Sequence, residues 1–287
     1  MDKRPPPKVR CREIGATDLE AIADLLATGF PKHSKRFWMM VLELLSHQPP
    51  LPGYPRYGLM LEVDAMPVGV LLLVLSRVVN STTLRCSGSG WYVAPAFRSY
   101  APLLILKSFA YRATHLNLSP SVETLPIIEA LGYKRFCNGV FVTLSAFAPK
   151  AGKAKIRRIR DAEHPETFVS AANLKLLQEH ERFGCLSLWC DTADGGYPFI
   201  FRRRFVKGLV PAAQLIYCTA VDDFVRFAGP IGRFLALRGI PFIVLPANGP
   251  IPQLLGKYSD GKPMYYRGPE QPRLGDLAYT ETALFGF

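Results

Sequence analysis

The chain has 287 residues, room for one large or two ordinary domains, and 49% of them are apolar, enough to build a packed core. Only 20% are charged, which argues against disorder, while the formal net charge of +12 suits an anionic partner: a phosphate-bearing small molecule, nucleic acid or an anionic lipid surface. Six cysteines are scattered with no C-x-x-C pair and no histidine cluster nearby, so no metal site is expected, and they read as reduced, mostly buried thiols of a cytoplasmic protein.

The start is basic and proline-rich (Lys3, Arg4, Lys8, Arg10, Arg12), without the apolar stretch of a signal peptide. Val9 to Ile14 reads as a strand. Thr17-Asp18-Leu19-Glu20 has the pattern of a capping box, and Leu19, Ile22, Ala23 and Leu26 follow at helical spacing. Phe37 to Leu45 predicts a second helix, and the prolines of Gln48 to Pro55 a loop. Tyr57 to Val63 and Val68 to Leu75 predict strands around a turn. The second of these is the longest apolar run and is too short to span a bilayer, so no transmembrane segment is expected. Thr83 to Val93 predicts a strand, Leu103 to Thr114 a helix, His115 to Leu118 a short strand and Glu123 to Leu131 a helix ended by Gly132. An antiparallel pair, Tyr133 to Phe136 and Gly139 to Ser145, is expected next.

Pro149 to Lys155 gathers Pro, Gly, Ala and Lys and reads as a boundary, giving units of residues 1–148 and 149–287. Beyond it the plan repeats. Ile156-Arg157-Arg158-Ile159 matches Val9-Arg10-Cys11-Arg12, and Glu166 to Leu177 predicts a helix. Cys185 to Cys190 and Tyr197 to Phe205 flank a hairpin turn at Asp194-Gly195-Gly196. Gln214 to Thr219 predicts a strand. Arg226 to Ile231 then lines up with Arg98 to Leu103, Arg on Arg and Pro on Pro. A helix to Leu237, a strand from Pro241 to Leu245, a helical piece near Pro252 to Leu255, and strands near Met264 to Arg267 and Leu277 to Leu284 complete the reading.

The most telling stretch is Val93-Ala94-Pro95-Ala96-Phe97-Arg98-Ser99-Tyr100-Ala101-Pro102-Leu103, where a strand turns into a helix. Such a junction leaves backbone N–H groups without intrahelical partners at the positive end of the helix dipole, a site for phosphate, and Arg98 adds a full charge. The stretch resembles the acyl-CoA signature of the GNAT superfamily of N-acyltransferases, V-x-P-x-x-R/Q-x-x-G-x-G/A, through Val93, Pro95 and Arg98. Ala101 and Leu103 replace its glycines, and Pro102 between them has no N–H. The Leu131-Gly132-Tyr133 ending and the element order over about residues 8–147 resemble the same superfamily.

The resemblance implies a mixed α+β (α/β) fold of two tandem GNAT-like domains, each a twisted mixed sheet flanked by helices, the second degenerate. It implies acyl-CoA or acetyl-CoA as co-substrate, with the pantetheine arm on the backbone of Trp91 and Val93 and the pyrophosphate at Arg98, Ser99, Tyr100, Ala101 and Leu103. No metal is implied. Where such enzymes often carry a proton-donating tyrosine this chain has Ile128, and Ser121 stands where an asparagine is common. Tyr92 and Ser121 are therefore the candidate catalytic residues. Glu62, Glu123, His33, His115 and Cys86 could also carry chemistry, each with a plainer reading as cap, surface or core. In the second unit Gly229 restores a signature glycine, but Asp222 and Asp223 would repel a pyrophosphate.

The leading reading is acyl transfer from acyl-CoA to a small-molecule or peptide amine by direct attack on the thioester. DNA is not an expected partner, since no nucleic-acid motif accompanies the charge, and a homodimer is compatible with the reading. Two other readings stay open: a catalytically silent GNAT-like binding module, and a transferase using an aminoacyl-tRNA donor on a tandem GNAT-like fold.

Overall fold

The computed structural model describes residues 8–149, 153–159, 170–206 and 208–286. The first half runs β1 (Arg10–Glu13), α1 (Leu19–Gly29), α2 (Lys35–Ser46), β2 (Gly58–Val63), β3 (Met66–Arg77), β4 (Leu84–Val93), a 3-10 helix (Pro95–Tyr100), α3 (Ala101–Ser108), β5 (Thr114–Asn117), α4 (Leu125–Ala130) and β6 (Lys134–Thr143). The second runs β7 (Lys155–Arg158), α5 (Ala171–Arg182), β8 (Leu186–Thr192), β9 (Gly195–Val206), β10 (Val210–Cys218), α6 (Val221–Ala236), β11 (Phe242–Ala247), β12 (Gly256–Arg267) and α7 (Glu281–Leu284). Apolar spacing sets the helices: α1 buries Ile22, Ala23 and Leu26, and α2 buries Trp38, Val41, Leu42 and Leu45. Ser34 caps α2 by accepting from the Phe37 N–H at 3.3 Å.

The twelve strands of the described residues form one sheet, in the order β1-β2-β3-β4-β5-β12-β6-β11-β10-β9-β8-β7. From either end the pattern is the same. β1 to β4 pair antiparallel, β4 pairs parallel with β5, and β5 pairs antiparallel with β12. β7 to β10 pair antiparallel, β10 pairs parallel with β11, and β11 pairs antiparallel with β6. β6 and β12 meet antiparallel in the middle. Each half thus completes its ladder with the other half's last long strand.

This exchange explains where the structure departs from the sequence reading. The two halves share one sheet instead of forming two, and residues 150–152 of the expected boundary lie outside the described residues. The expected hairpin at residues 133–145 is the single strand β6, whose partner β12 lies more than 110 residues away in the chain. Gly139 makes no turn: a Cβ there would lie 2.2 Å from the Ser259 carbonyl oxygen, so glycine lets β12 approach. Part of the expected helix from Glu166 lies outside the described residues, and α5 starts at Ala171. The helix expected from Leu103 to Thr114 starts at Ala101 and stops at Ser108, and residues 252–255 form turns, not a helical piece. The capping-box reading at Thr17 is replaced by Asp18, which accepts the Gly15 N–H at 2.8 Å ahead of α1.

The segment expected to be a strand at residues 277–284 is a strap. Its Gly275 oxygen accepts the Cys218 N–H at 2.9 Å and its Leu277 N–H donates to the Ile216 oxygen at 2.8 Å. β9 already pairs with the other edge of β10, so these bonds use the edge that β11 leaves free beyond Gln214. The strap then crosses to the first half. Asp276 pairs with Arg85 of β4 at 2.9 Å, both side chains about 95% buried. Ser87 of β4 donates to the Glu281 carboxylate, and the Tyr279 N–H donates to His180 Nε2 at 3.1 Å. Leu277, Ala278, Ala283 and Leu284 share one core with α1, α2 and α5, on one face of the sheet. α3 and α4 cover a second core, and α6 covers a third.

Candidate active site

β4 and β5 pair only through Arg85–Ser87 and Thr114–Leu116. β4 runs on to Val93, so its residues from Gly88 onward leave β5 and the two strands splay. Among the described residues no backbone segment takes the β5-side edge of Gly88–Val93. β3 covers the opposite edge, with a bulge: Val70 faces Tyr92, yet Leu72 already faces Ser89. Gly90 in the bulge has φ +57°, the left-handed region where glycine is favoured, and a Cβ there would press 3.1 Å from a Leu26 methyl. Such a bulge re-aims the backbone groups of Gly90 and Trp91.

A cavity of about 280 Å³ opens in the splay. One wall is β4, from Gly88 to Trp91; the other is Leu116, Asn117, Ser119, Pro120, Ser121 and Thr124. Phe30, His33 and Trp38 close it on the α1–α2 face, while Leu71, Ile105 and Tyr133 line it from the core under α3. The cavity therefore passes between the strands and reaches both faces of the sheet.

The structure brings Trp91 and Ser121 to this cavity. Trp91 Nε1 is buried without a hydrogen-bond partner among the described residues. Ser121 is exposed at the start of the short helix before α4, and its hydroxyl faces Thr124 Oγ1 at 3.5 Å without capping the helix. Tyr92 is directed elsewhere: its ring lies over Gly29 of α1, where a Cβ would come within 2.3 Å, and sits edge-on to Phe30. Val93 is buried at the end of β4.

The turn after β4 is tighter than a free helix start. Phe97 donates to the Ala94 oxygen at 2.8 Å and Ala101 to the Arg98 oxygen, while Pro95 and Pro102 have no N–H. Of the expected cradle, Ala101 has thus spent its donor inside the turn. Arg98 and Ser99 are exposed, Tyr100 packs against the α3 core, and Leu103 is exposed. Arg98 has no ion pair or hydrogen bond among the described residues, so its guanidinium is available to an anion.

Of the other candidates His33 lines the cavity, and the rest lie outside its wall. Glu62 is taken by Arg12, at 2.6 Å. His115 is buried, its Nε2 3.2 Å from the Tyr111 oxygen, and burial lowers its pKa. Cys86 is buried and its thiol is pushed up to about 12 by desolvation, then by Glu281, so it is no nucleophile. Glu123 is exposed, and Ile128, on the inner side of α4, is fully buried. Among the described residues no three His, Cys, Asp or Glu side chains gather as metal ligands, and no helix is long and apolar enough to cross a membrane.

Sequence reasoning passed over Tyr133 as a chemical group. Gly132, at φ +83°, turns the chain after α4 so that the Tyr133 N–H donates to the Ile128 oxygen at 3.1 Å and the ring enters the cavity wall. Burial, more than the nearby Cys86, raises its pKa, so the phenol stays protonated. Its place in Leu131-Gly132-Tyr133 was the signal that could have found it.

In the second half, the stretch aligned with the signature is no turn. Arg226 and Pro230 lie within α6, whose inward residues Phe224, Phe227, Ala228, Ile231 and Leu235 keep a helical spacing. Gly229 and Gly232 serve packing: a Cβ on either would lie 2.5 Å from Pro149 O or 2.3 Å from Ala146 N. Asp222 and Asp223 take the first turn of α6, at the positive end of its dipole.

No family model and no curated protein matches the sequence. Solved structures do. A GCN5-related N-acetyltransferase from Anabaena variabilis superposes with a TM-score of 0.61 at 10% identity, covering 91% of this chain and 72% of that one. A GCN5-related N-acetyltransferase from Kribbella flavida gives 0.57 at 13% identity, covering 91% of this chain and 71% of that one. The chain has the fold of the GCN5-related N-acetyltransferases: a large mixed sheet flanked by helices.

Proposed function

We propose that the protein is an acyl-CoA-dependent N-acyltransferase with one active site, the β4–β5 splay, and that residues 149–287 are a degenerate tandem copy of the first unit. The observation that carries this reading is the unpaired edge of β4 beside a cavity that reaches both faces of the sheet. An extended pantetheine arm fits such an edge through main-chain hydrogen bonds at Trp91 and Val93. Arg98, exposed at the turn and without an ion pair among the described residues, suits the pyrophosphate, with fewer backbone donors beside it than a glycine-rich turn offers.

Bound acyl-CoA supplies an activated thioester. The chain holds it on β4, with the bulge at Gly90–Trp91 presenting backbone N–H to the thioester oxygen. Two titratable side chains line the cavity, one from each face: His33 and Tyr133. As the N–C bond forms and the C–S bond breaks, His33 takes the proton lost by the amine and the Tyr133 phenol gives one to the sulfur. Ser121 aids by hydrogen bonding. Ile128, buried and apolar, takes no part.

Calorimetry with CoA and acetyl-CoA tests the reading; an absence of binding overturns it. Tyr133→Phe should lower kcat by about 10-fold or more while leaving CoA affinity unchanged, less than the usual contribution of an acid, about 10²–10⁴-fold, because a thiolate leaves readily.

A further inference from the structure

Resting on that reading, we infer that the acceptor is an aromatic monoamine and that polycationic amines are rejected. The acceptor end of the cavity is the α1–α2 end, because the pyrophosphate turn lies at the start of α3 on the other face of the sheet. That end is built of rings. Phe30 and Trp38 lie 5.4 Å apart at 47°, and His33 meets Trp38 edge-on at 5.8 Å. An incoming aromatic ring finds the tilted and edge-on contacts that such rings favour.

The charge of the wall points the same way. Among the described residues no Asp, Glu, Lys or Arg lines the cavity. A polyamine, an aminoglycoside or a lysine-rich peptide carries several ammonium groups, and each one entering must leave water with no carboxylate to meet it. The chain's own charge of +12 repels such a substrate before it arrives. An aromatic monoamine brings a single amino group, which must be neutral to attack. Ser89, Asn117, Ser119 and Ser121 offer that group uncharged hydrogen-bond partners.

The test uses the full chain in three steps. Calorimetric titration with CoA checks the underlying reading, and failure there overturns both. With CoA binding established, 2-phenylethylamine and spermidine are titrated by tryptophan fluorescence, since Trp38 and Trp91 both line the cavity. Turnover with acetyl-CoA is then followed by thiol release. Quenching and turnover with 2-phenylethylamine are expected, with kcat/KM at least about 10-fold above that for spermidine. Ser119→Glu puts a carboxylate at an exposed position of the wall and should move that ratio toward spermidine by about 10-fold. Equal or better use of spermidine by the wild type, an unmoved ratio in the variant, or no turnover of 2-phenylethylamine overturns the acceptor assignment.

Discussion

The two parallel strand pairs of this sheet, β4–β5 and β10–β11, begin alike and end differently. Each pairs over three residues and then splays. In the first half the freed edge of β4 borders an open cavity; in the second the freed edge of β10 is bonded to the strap at Gly275 and Leu277. A splayed strand exposes donors and acceptors that need partners. On the proposed function the first repeat leaves that need to a ligand, whereas the second meets it within the chain. The lesson is that a repeated topology need not leave the same edge open: the strap takes the freed edge of β10 while fastening the second half to β4.

The sharpest way to break this comparison is to loosen the strap. Arg85 and Asp276 are both about 95% buried, so Asp276→Ala would leave a guanidinium in the core with backbone carbonyls but no counter-ion. Removing one partner of a buried pair typically costs about 3–5 kcal/mol. Urea denaturation of the variant should show a loss of that order. A loss under about 1 kcal/mol would mean that the strap is a dispensable tail and the second splay stable without it.

A second effect, of about 3 kcal/mol, is read through pH. Burial raises the Glu281 pKa to about 7 in the folded chain, with the Ser87 hydrogen bond opposing. The unfolded carboxyl ionises near its ordinary value of about 4.3, so the folded state holds an extra proton between those limits, and this residue makes stability fall as pH rises through them. His180 acts in the opposite sense. Burial lowers its pKa to about 4, its Nδ1 faces the Leu176 oxygen at 2.8 Å, and its Nε2 accepts from Tyr279. The unfolded imidazole is protonated below about 6.5, so its contribution is lost as pH falls from there toward the folded value. The two trends offset one another between about pH 4.5 and 6.5. Glu281→Gln should therefore be more stable than wild type at pH 7.5 by about 3 kcal/mol, and its stability should drop on acidification where the wild type stays nearly level. Urea midpoints from pH 4.5 to 7.5 check this; parallel curves for the two proteins would show that Glu281 ionises normally.

The comparison also predicts stoichiometry. Calorimetry should give one CoA per chain, because of the two splayed edges only that of β4 is left free among the described residues. Arg98→Ala should weaken that binding by about 1–3 kcal/mol, the range for a charge-assisted hydrogen bond. Two equivalent sites would mean that the strap detaches in solution and that the second splay binds too.

The first half was largely legible in the sequence because its elements follow local rules: the spacing of Ile22, Ala23 and Leu26, the prolines of the 48–55 loop, and the apolar run feeding Val93. The reading of Trp91 and Val93 as a ligand-binding edge came only through the resemblance. What escaped were features set by distant partners. β6 pairs with β12 and β11, so the Cys137-Asn138 step read as the link of a hairpin lies within one strand, where Gly139 admits the close approach of β12. The strap resembled a strand because Leu277, Ala278, Ala283 and Leu284 are all buried, but they face a core shared with α1, α2 and α5. The Arg226–Ile231 match paired residues of like type in unlike backbones, a 3-10 turn and the interior of a helix.

That last contrast gives the smallest predicted effect. If the sequence match marked a second phosphate site, Arg226→Ala would weaken CoA binding as Arg98→Ala does. The structure assigns Arg226 other work. It lies in the second turn of α6, its guanidinium 4.9 Å from the Phe227 ring centre and 3.3 Å from Asp194, in an ion pair exposed on both sides. Exposed pairs of this kind contribute about 0–1 kcal/mol, because water screens them and two long side chains must be ordered. Arg226→Ala should therefore leave CoA affinity unchanged and lower stability by less than about 1 kcal/mol, a loss that shrinks further in high salt. Calorimetry and urea denaturation of Arg98→Ala and Arg226→Ala side by side separate the two arginines. Equal losses of affinity would restore the second half as a ligand site, and a stability loss that ignored salt would assign the contact to ring packing, not to charge.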